Sequence, residues 1–102
     1  MDISNLFGLQ NRQIIIAGGA GQLGFHFAQI LASSGASIHI LDIDIDNAFK
    51  KIKQLDAKLK NKIFLHKVDV KSDSSIKLFY SDWDKNNILY GLINCFHYTV
   101  RI

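Results

Sequence analysis

The chain has 102 residues, enough for one domain or part of one, and its hydrophobic content of 48% excludes a disordered segment. The formal charge of +3 is modest, and acidic residues interrupt the lysines between positions 50 and 62, so we expect a solvated helix face and no nucleic-acid partner. There is no secretory signal pattern and no apolar stretch long enough to cross a bilayer, which predicts no membrane partner. The lone cysteine, Cys95, cannot form an internal disulfide, which favours a reducing compartment, the cytoplasm.

The first predicted elements are a strand and a helix joined by glycines. Residues 13–17 form a continuous apolar run, typical of a parallel strand buried on both faces. A helix is predicted over 22–34, and Gly35 suits the left-handed conformation that ends it. Its apolar stripe, by helical spacing, is predicted to contain Leu23, Phe27, Ile30 and Leu31.

The same alternation continues along the chain. Strands are predicted over 37–41, 63–68 and 89–94. A helix is predicted over 45–59, capped by Asp44 or Asp46. Another is predicted over 73–85, capped by Ser72. The inner faces of these two helices are predicted to contain Ile45, Ala48, Phe49, Ile52, Leu55 and Leu59 in the first and Ile76, Phe79, Tyr80 and Trp83 in the second.

This order of elements predicts the fold class. A β-α-β-α-β-α-β chain with right-handed crossovers gives an α/β, Rossmann-type, doubly wound parallel sheet with the strand order 3-2-1-4. We therefore expect residues 1–102 to be a partial dinucleotide-binding domain, truncated after the fourth strand.

The glycine cluster after the first strand predicts a phosphate-binding loop. Gly18, Gly21 and Gly24 give the spacing G-x-x-G-x-x-G, and Gly19 offers an overlapping G-x-G-x-x-G. Such a loop needs a sharp turn, no side chain against the pyrophosphate, and a helix that starts close to the sheet. The backbone N–H groups at the start of the helix, at Gln22 and Leu23, would then face the phosphates.

An acidic residue follows the second predicted strand. The carboxylate of Asp42 can bind both hydroxyls of an adenosine ribose and would repel the 2′-phosphate of NADP. Since no lysine or arginine lies in the glycine loop, NAD is the predicted cofactor. The alternative is that the glycines form only a tight turn and Asp42 only a helix cap, although Asp44 and Asp46 are better placed for capping.

With these motifs, the chain resembles the N-terminal half of the short-chain dehydrogenase/reductase family. The matching residues are Gly18, Gly21-x-x-Gly24 and, after the third strand, Asp69-Val70, while Ala17 replaces the threonine that the family has before the first glycine. The resemblance implies that Asp69 binds the adenine amino group. It also implies that Asn94, the counterpart of the first residue in the family's Asn-Asn-Ala-Gly, lines the cofactor. The sequence of the glycine loop, Gly-Gly-Ala-Gly-Gln-Leu-Gly, is similar to that of members that modify sugars for polysaccharides or flagellin glycans.

The residues that such a family uses for catalysis are missing from this sequence. The family places a serine and a Tyr-x-x-x-Lys beyond the fourth strand, with the tyrosine as general acid/base. Here Tyr80 is followed four residues later by Asp84, and Tyr98 by Ile102. We therefore predict no catalytic residue in this chain and no turnover by it alone. Phe96 also departs from the family, which keeps a small residue there.

Two functional hypotheses remain open at this stage. The chain is the cofactor-binding part of an NAD-dependent short-chain oxidoreductase, or it is a non-catalytic nucleotide-binding or interaction module. The four histidines lack metal-ligand spacing, so no metal site is predicted. An open edge at the fourth strand predicts self-association.

Overall fold

The computed structural model describes residues 8–83 and 88–95 of the chain. Its strands are β1 (Gln13–Ala17), β2 (Ser37–Asp42), β3 (Ile63–Lys67) and β4 (Leu89–Asn94). Its helices are α1 (Gln22–Ser33), α2 (Ile45–Ile52), α3 (Ala57–Lys60) and α4 (Asp73–Ser81). All strand pairs are parallel and the order is β3-β2-β1-β4, so the predicted fold class and strand order are confirmed.

Apolar clusters cover both faces of the sheet. On one face, Ile14 and Ile16 of β1 and Ile38 and Ile40 of β2 pack against Phe25 of α1. The opposite face has a second cluster, formed by Ile15, Leu41, Val68 and Phe79, in which Phe79 comes from α4. Because successive side chains of a strand point to opposite faces, an uninterrupted apolar run such as residues 14–16 serves both clusters. The sheet is therefore doubly wound, as predicted.

The predicted apolar stripe of α1 is wrong except at Leu31, which is partly buried and packs against the core. Its buried residues are Gly24, Phe25, Ala28 and Ala32, whereas Leu23 is 61% exposed and Phe27 and Ile30 also face solvent. The reason is the close approach of α1 to the glycine loop at Gly24. Once Gly24 faces the sheet, the residues four and eight positions later must face it too, and both are alanines small enough to allow the approach.

The second predicted helix is divided in two. Residues 53–56 interrupt it, because the carboxylate of Asp56 accepts a hydrogen bond from the Leu59 N–H at 3.0 Å and starts α3 as a new cap. Asp44 caps α2 as predicted, accepting from the Asn47 N–H at 3.2 Å. Phe49, predicted to face the core, is instead 53% exposed, while Ala48 is fully buried.

The last helix is shorter than predicted. Ser72 caps α4 through the Ser75 N–H at 3.2 Å, as expected, but α4 ends at Ser81. The end predicted at Lys85 falls among residues 84–87, which lie outside the described residues. Phe79 is buried, whereas Tyr80, predicted on the same face, is exposed. Within the ranges described, none of the helices has the length and apolar character needed to span a bilayer.

Candidate cofactor site

The glycine loop lies between β1 and α1 at the carboxyl edge of the sheet. Gly18 adopts a left-handed φ of 79°, a conformation that favours glycine, and its N–H donates to the Leu41 carbonyl at 2.8 Å. Gly21 is the N-cap of α1, and no side chain caps this helix. The N–H groups of Gln22 and Leu23 are therefore directed into the space before the helix, where an anion would be stabilised.

Two other glycines bring the loop, the helix and the sheet together. A Cβ added to Gly24 would lie 2.7 Å from the Gly18 carbonyl oxygen and 2.8 Å from the Gly19 Cα. A Cβ on Gly19 would lie 2.7 Å from the Ile40 side chain. At Gly21 the nearest atom would be the Gly18 oxygen at 3.6 Å, so this glycine leaves open space and not a tight contact. The glycines therefore differ in role, since Gly19 and Gly24 allow close packing and Gly21 borders open space before α1.

Asp42 lies at the end of β2 beside this loop. Its Oδ2 accepts from the Ala20 N–H at 3.1 Å, and its Oδ1 accepts from the Asp44 N–H at 2.9 Å. Since Asp44 is the residue that caps α2, the interpretation of Asp42 as only a helix cap is not supported. A carboxylate can accept about four hydrogen bonds, so these two leave room for ribose hydroxyls.

Asp69 lies at the same edge of the sheet, after β3. Its Oδ1 accepts from the Lys71 N–H at 3.0 Å, and its own N–H donates to Ser75 Oγ at 3.0 Å. These bonds hold the turn between β3 and α4 in place. Asp69 is thus presented at the edge where parallel sheets bind nucleotides.

A cleft of about 280 Å³ joins these parts of the chain. Its lining residues are Gly18, Leu41, Asp42, Ile43, Val68, Asp69, Val70 and Lys71. Four predicted site residues therefore meet in one cleft, although they come from three separate loops. The other four lining residues were missed, and the available signal was that each is adjacent in sequence to a predicted one. Ligand pockets commonly measure about 300 to 1,000 Å³, so this cleft lies just below the usual size range.

The remaining predicted site residues do not line this cleft. Gln22 lines a separate groove between α1 and α2, and the Leu23 side chain faces solvent, so a role for Leu23 would use its backbone. Asn94 ends β4 opposite Ala17, the last residue of β1, which places it at the same sheet edge. Burial raises the pKa of the neighbouring Cys95 thiol, which disfavours a nucleophilic thiolate. Phe96 lies outside the described residues.

The two strand histidines form a structural network and not a metal site. His39 Nδ1 lies 3.0 Å from His66 Nε2, and His39 Nε2 lies 2.6 Å from Gln13 Oε1. Burial, together with His66, lowers the pKa of His39 to about 4, so its ring is neutral at pH 7. Within residues 8–83 and 88–95, no three histidine, cysteine or acidic side chains are grouped to hold a metal ion.

The sheet order, the glycine loop and the acidic residue at the end of β2 together define a Rossmann-type nucleotide-binding domain. Comparison with known families makes the assignment narrower. The sequence model of the family described as GDP-mannose 4,6 dehydratase matches residues 15–89. The chain therefore belongs to this family, which is related to the short-chain dehydrogenases/reductases.

Solved structures of short-chain dehydrogenases/reductases share the fold. Menthone neomenthol reductase from Mentha piperita is 22% identical over 82% of this chain, with a TM-score of 0.71. A short-chain type dehydrogenase/reductase from Mycobacterium ulcerans is 22% identical over 85% of the chain, also with a TM-score of 0.71. A putative D-mannonate oxidoreductase from Haemophilus influenza, solved with bound NAD, is 29% identical over 78% of the chain, with a TM-score of 0.64.

The chain is much shorter than these structures. The matches cover 31% of the Mentha reductase, 33% of the Mycobacterium enzyme and 28% of the Haemophilus protein. The chain thus resembles the N-terminal part of dinucleotide-dependent oxidoreductases.

Proposed function

We propose that this chain is the N-terminal, NAD-binding part of a short-chain oxidoreductase. The observation that carries the proposal is the cleft in which Gly18, Asp42, Asp69 and Val70 meet. Sequence motifs predicted each of these residues separately, and the fold brings them to one sheet edge. A structural relative with bound NAD supports the choice of ligand class.

The pyrophosphate and the adenosine of the cofactor would each bind a different part of the chain. The pyrophosphate would bind at the N-terminus of α1, where Gly21 leaves space, where Gly24 lets the helix start close to the loop, and where the N–H groups of Gln22 and Leu23 donate. The Asp42 carboxylate would accept the ribose hydroxyls. Asp69 would accept from the adenine amino group, with Val70 against the ring. When bound, NAD supplies a nicotinamide carbon that accepts or donates hydride.

Asn94 belongs to the other end of this proposed site. It lies at the end of β4, beside the end of β1, and would line the cofactor toward its nicotinamide end. The rest of the nicotinamide site would come from the part of the fold that the relatives have and this chain does not cover. We therefore expect weak binding of NAD by the 102-residue chain.

The preference for NAD over NADP rests on the charge of Asp42. Two unit charges about 4 Å apart repel by about 1 kcal/mol in water and by about 4 kcal/mol at the effective dielectric of a protein surface. A 2′-phosphate at the ribose position would meet this repulsion, whereas two hydroxyls would donate to the carboxylate. We expect at least about tenfold weaker binding of NADP, since tenfold corresponds to 1.4 kcal/mol.

The chemistry of the whole protein is proposed at a coarser level. It would transfer hydride between NAD and a hydroxyl or carbonyl carbon. A sugar substrate is supported by the sequence of the glycine loop, by the name of the family and by the similarity to the putative D-mannonate oxidoreductase. This chain lacks the Tyr-x-x-x-Lys acid/base, so we propose that it has no turnover by itself and that it resides in the cytoplasm.

The fourth strand suggests how the chain would self-associate. Within the described part of the chain, β4 pairs with β1 alone, and its exposed side chains include Leu89, Tyr90 and Leu92. An unpaired strand edge next to exposed apolar side chains is a template for pairing with another chain. We propose that the 102-residue chain self-associates through this edge.

Calorimetric titration of the chain with NAD and with NADP tests the cofactor assignment. We expect a dissociation constant for NAD well above about 1 μM and weaker binding of NADP. In Asp42→Asn the ratio of the NAD affinity to the NADP affinity should be smaller. Asp46→Asn, which removes an exposed carboxylate from the first turn of α2, should leave the ratio unchanged. Micromolar or tighter NAD affinity, a preference for NADP, or NAD-dependent turnover by this chain would contradict the proposal.

A further inference from the structure

Two side chains of the second helix, α2, donate hydrogen bonds to the glycine loop at Ala20. The N–H of Ala20 donates to Asp42 Oδ2 at 3.1 Å. Its carbonyl oxygen accepts from Lys51 Nζ at 2.9 Å and from Asn47 Nδ2 at 3.3 Å. The side chain of Ala20 is only 2% exposed. Both backbone polar groups of this loop residue are therefore held by side chains from other elements, the N–H by β2 and the carbonyl by α2.

The spacing of Asn47 and Lys51 explains how both reach the same carbonyl. Residues four positions apart lie on the same face of a helix, one turn above the other. The start of α2 is set by Asp44, which accepts from the Asn47 N–H, while the Asp44 N–H donates to Asp42. Hydrogen bonds thus run from the loop through Asp42 and Asp44 to Asn47 and back to the loop.

Lys51 differs from the lysines beside it. Its ammonium lies 5.4 Å from the centroid of the Phe25 ring, and its side chain is half-buried. Lys50 is exposed, and Lys53 lies over the exposed ring of Phe49 at 4.7 Å. A hydrogen bond from a charged donor contributes about 1.5–3 kcal/mol, more than a neutral one. Lys51 is therefore the lysine of α2 whose position is tied to the shape of the loop.

We propose that Lys51, assisted by Asn47, is a positioning residue that holds the glycine loop in the conformation that receives the pyrophosphate. This inference rests on the proposed cofactor function. It acts through the Ala20 carbonyl and not through contact with the ligand. Lys51 should then increase the affinity for ligands whose phosphates bind at the loop, and should have almost no effect on the affinity for a ligand that ends at the ribose.

The test compares ADP with adenosine by NMR titration of the full 102-residue chain. In Lys51→Met, which keeps an unbranched apolar stem and removes the ammonium donor, we expect ADP to bind about tenfold more weakly, or 1.4 kcal/mol. Adenosine affinity should change less than about twofold, because adenosine does not reach the phosphate part of the loop. Lys51→Arg should restore most of the ADP affinity, and Lys50→Met is the matched control that should change neither ligand.

Asn47→Ala separates positioning from direct contact with a phosphate. Asn47 is neutral, so a selective loss of ADP affinity of about threefold in this variant supports positioning, whereas no loss overturns it. An unchanged ADP affinity in Lys51→Met, or an equal loss for ADP and adenosine, also overturns the inference while leaving the proposed function intact. If the unaltered chain binds neither ligand, the proposed function fails, and this inference fails with it.

Discussion

Gly24→Ala is the substitution that tests the loop and the helix together. Gly24 lies in the first turn of α1, and its added Cβ would meet two backbone atoms, the Gly18 oxygen at 2.7 Å and the Gly19 Cα at 2.8 Å. Cys95 Cβ would lie at 3.3 Å on the third side. Backbone atoms cannot rotate away as a side chain can. The helix must therefore move outward or the loop must open.

The magnitude follows from two opposing effects. Overpacking of this kind costs about 1–3 kcal/mol, and backbone on two sides places this site near the upper value. Replacing a glycine inside a helix by alanine stabilises the helix by about 1 kcal/mol, which offsets part of this loss. We expect a net loss of about 2 kcal/mol in the free energy of unfolding, which lowers the melting temperature of a domain this size by about 8–16 °C.

Two other glycines provide matched controls. At Gly91, in β4, an added Cβ meets nothing within 4 Å, so Gly91→Ala should change the stability by less than about 1 kcal/mol, in the stabilising direction. At Gly21 a Cβ meets only the Gly18 oxygen at 3.6 Å, so Gly21→Ala should fold normally and bind NAD about tenfold more weakly. Thermal unfolding followed by circular dichroism, together with NAD titration, measures both effects. If Gly24→Ala unfolds at the temperature of Gly91→Ala and binds NAD like the unaltered chain, the account of the glycines is wrong.

Three further predictions concern stability and association. Burial lowers the pKa of His39 from 6.5 to about 4, so its contribution to the free energy of unfolding is complete above pH 6.5 and is lost as the pH falls through about 4. Allowing for solvent screening, urea unfolding should show a loss of about 1–2 kcal/mol over this range, and His39→Gln should reduce that loss. An equal loss in both chains would refute the prediction. Asp44→Ala should lower the free energy of unfolding by about 1 kcal/mol through loss of the α2 cap, whereas Asp46→Ala should have less effect. Leu92→Lys should shift the chain toward monomer in sedimentation velocity, whereas Leu78→Lys, at an exposed site on α4, should not; a chain that is already monomeric would contradict the proposed edge pairing.

The elements and the site that could be predicted are those determined by local sequence. The strand at 13–17 and the strand predicted over 37–41, which extends to Asp42, are short segments rich in isoleucine, too short for helices. The caps at Asp44 and Ser72 follow from side chains that accept from their own helix. The cleft could be anticipated because the carboxyl ends of parallel strands meet at one edge, which brings Asp42 and Asp69 together.

The errors arose where a distant contact decided the outcome. The apolar pattern of α1 favoured a face with Leu23 and Phe27, but the contact between Gly24 and the loop rotated the helix onto its alanines. The contact of Lys51 with Ala20 spans 31 residues, and no local pattern distinguishes this lysine from Lys50. The predicted preference for NAD over NADP rested partly on the lack of basic residues in the loop. It could therefore not take account of Lys51, a cation that α2 brings to the loop.

The central claim is that the carboxyl edge of this sheet binds an adenine dinucleotide. Titration of the ¹⁵N-labelled chain with NAD tests it most directly, because each backbone amide reports separately. We predict saturable shifts, with one dissociation constant, at Gly18, Gly21, Leu23 and Val70, and no shift at Ile63, which lies at the opposite end of the sheet. No shifts up to about 5 mM NAD, which corresponds to binding weaker than about −3 kcal/mol, or shifts confined to other surfaces, would contradict the claim.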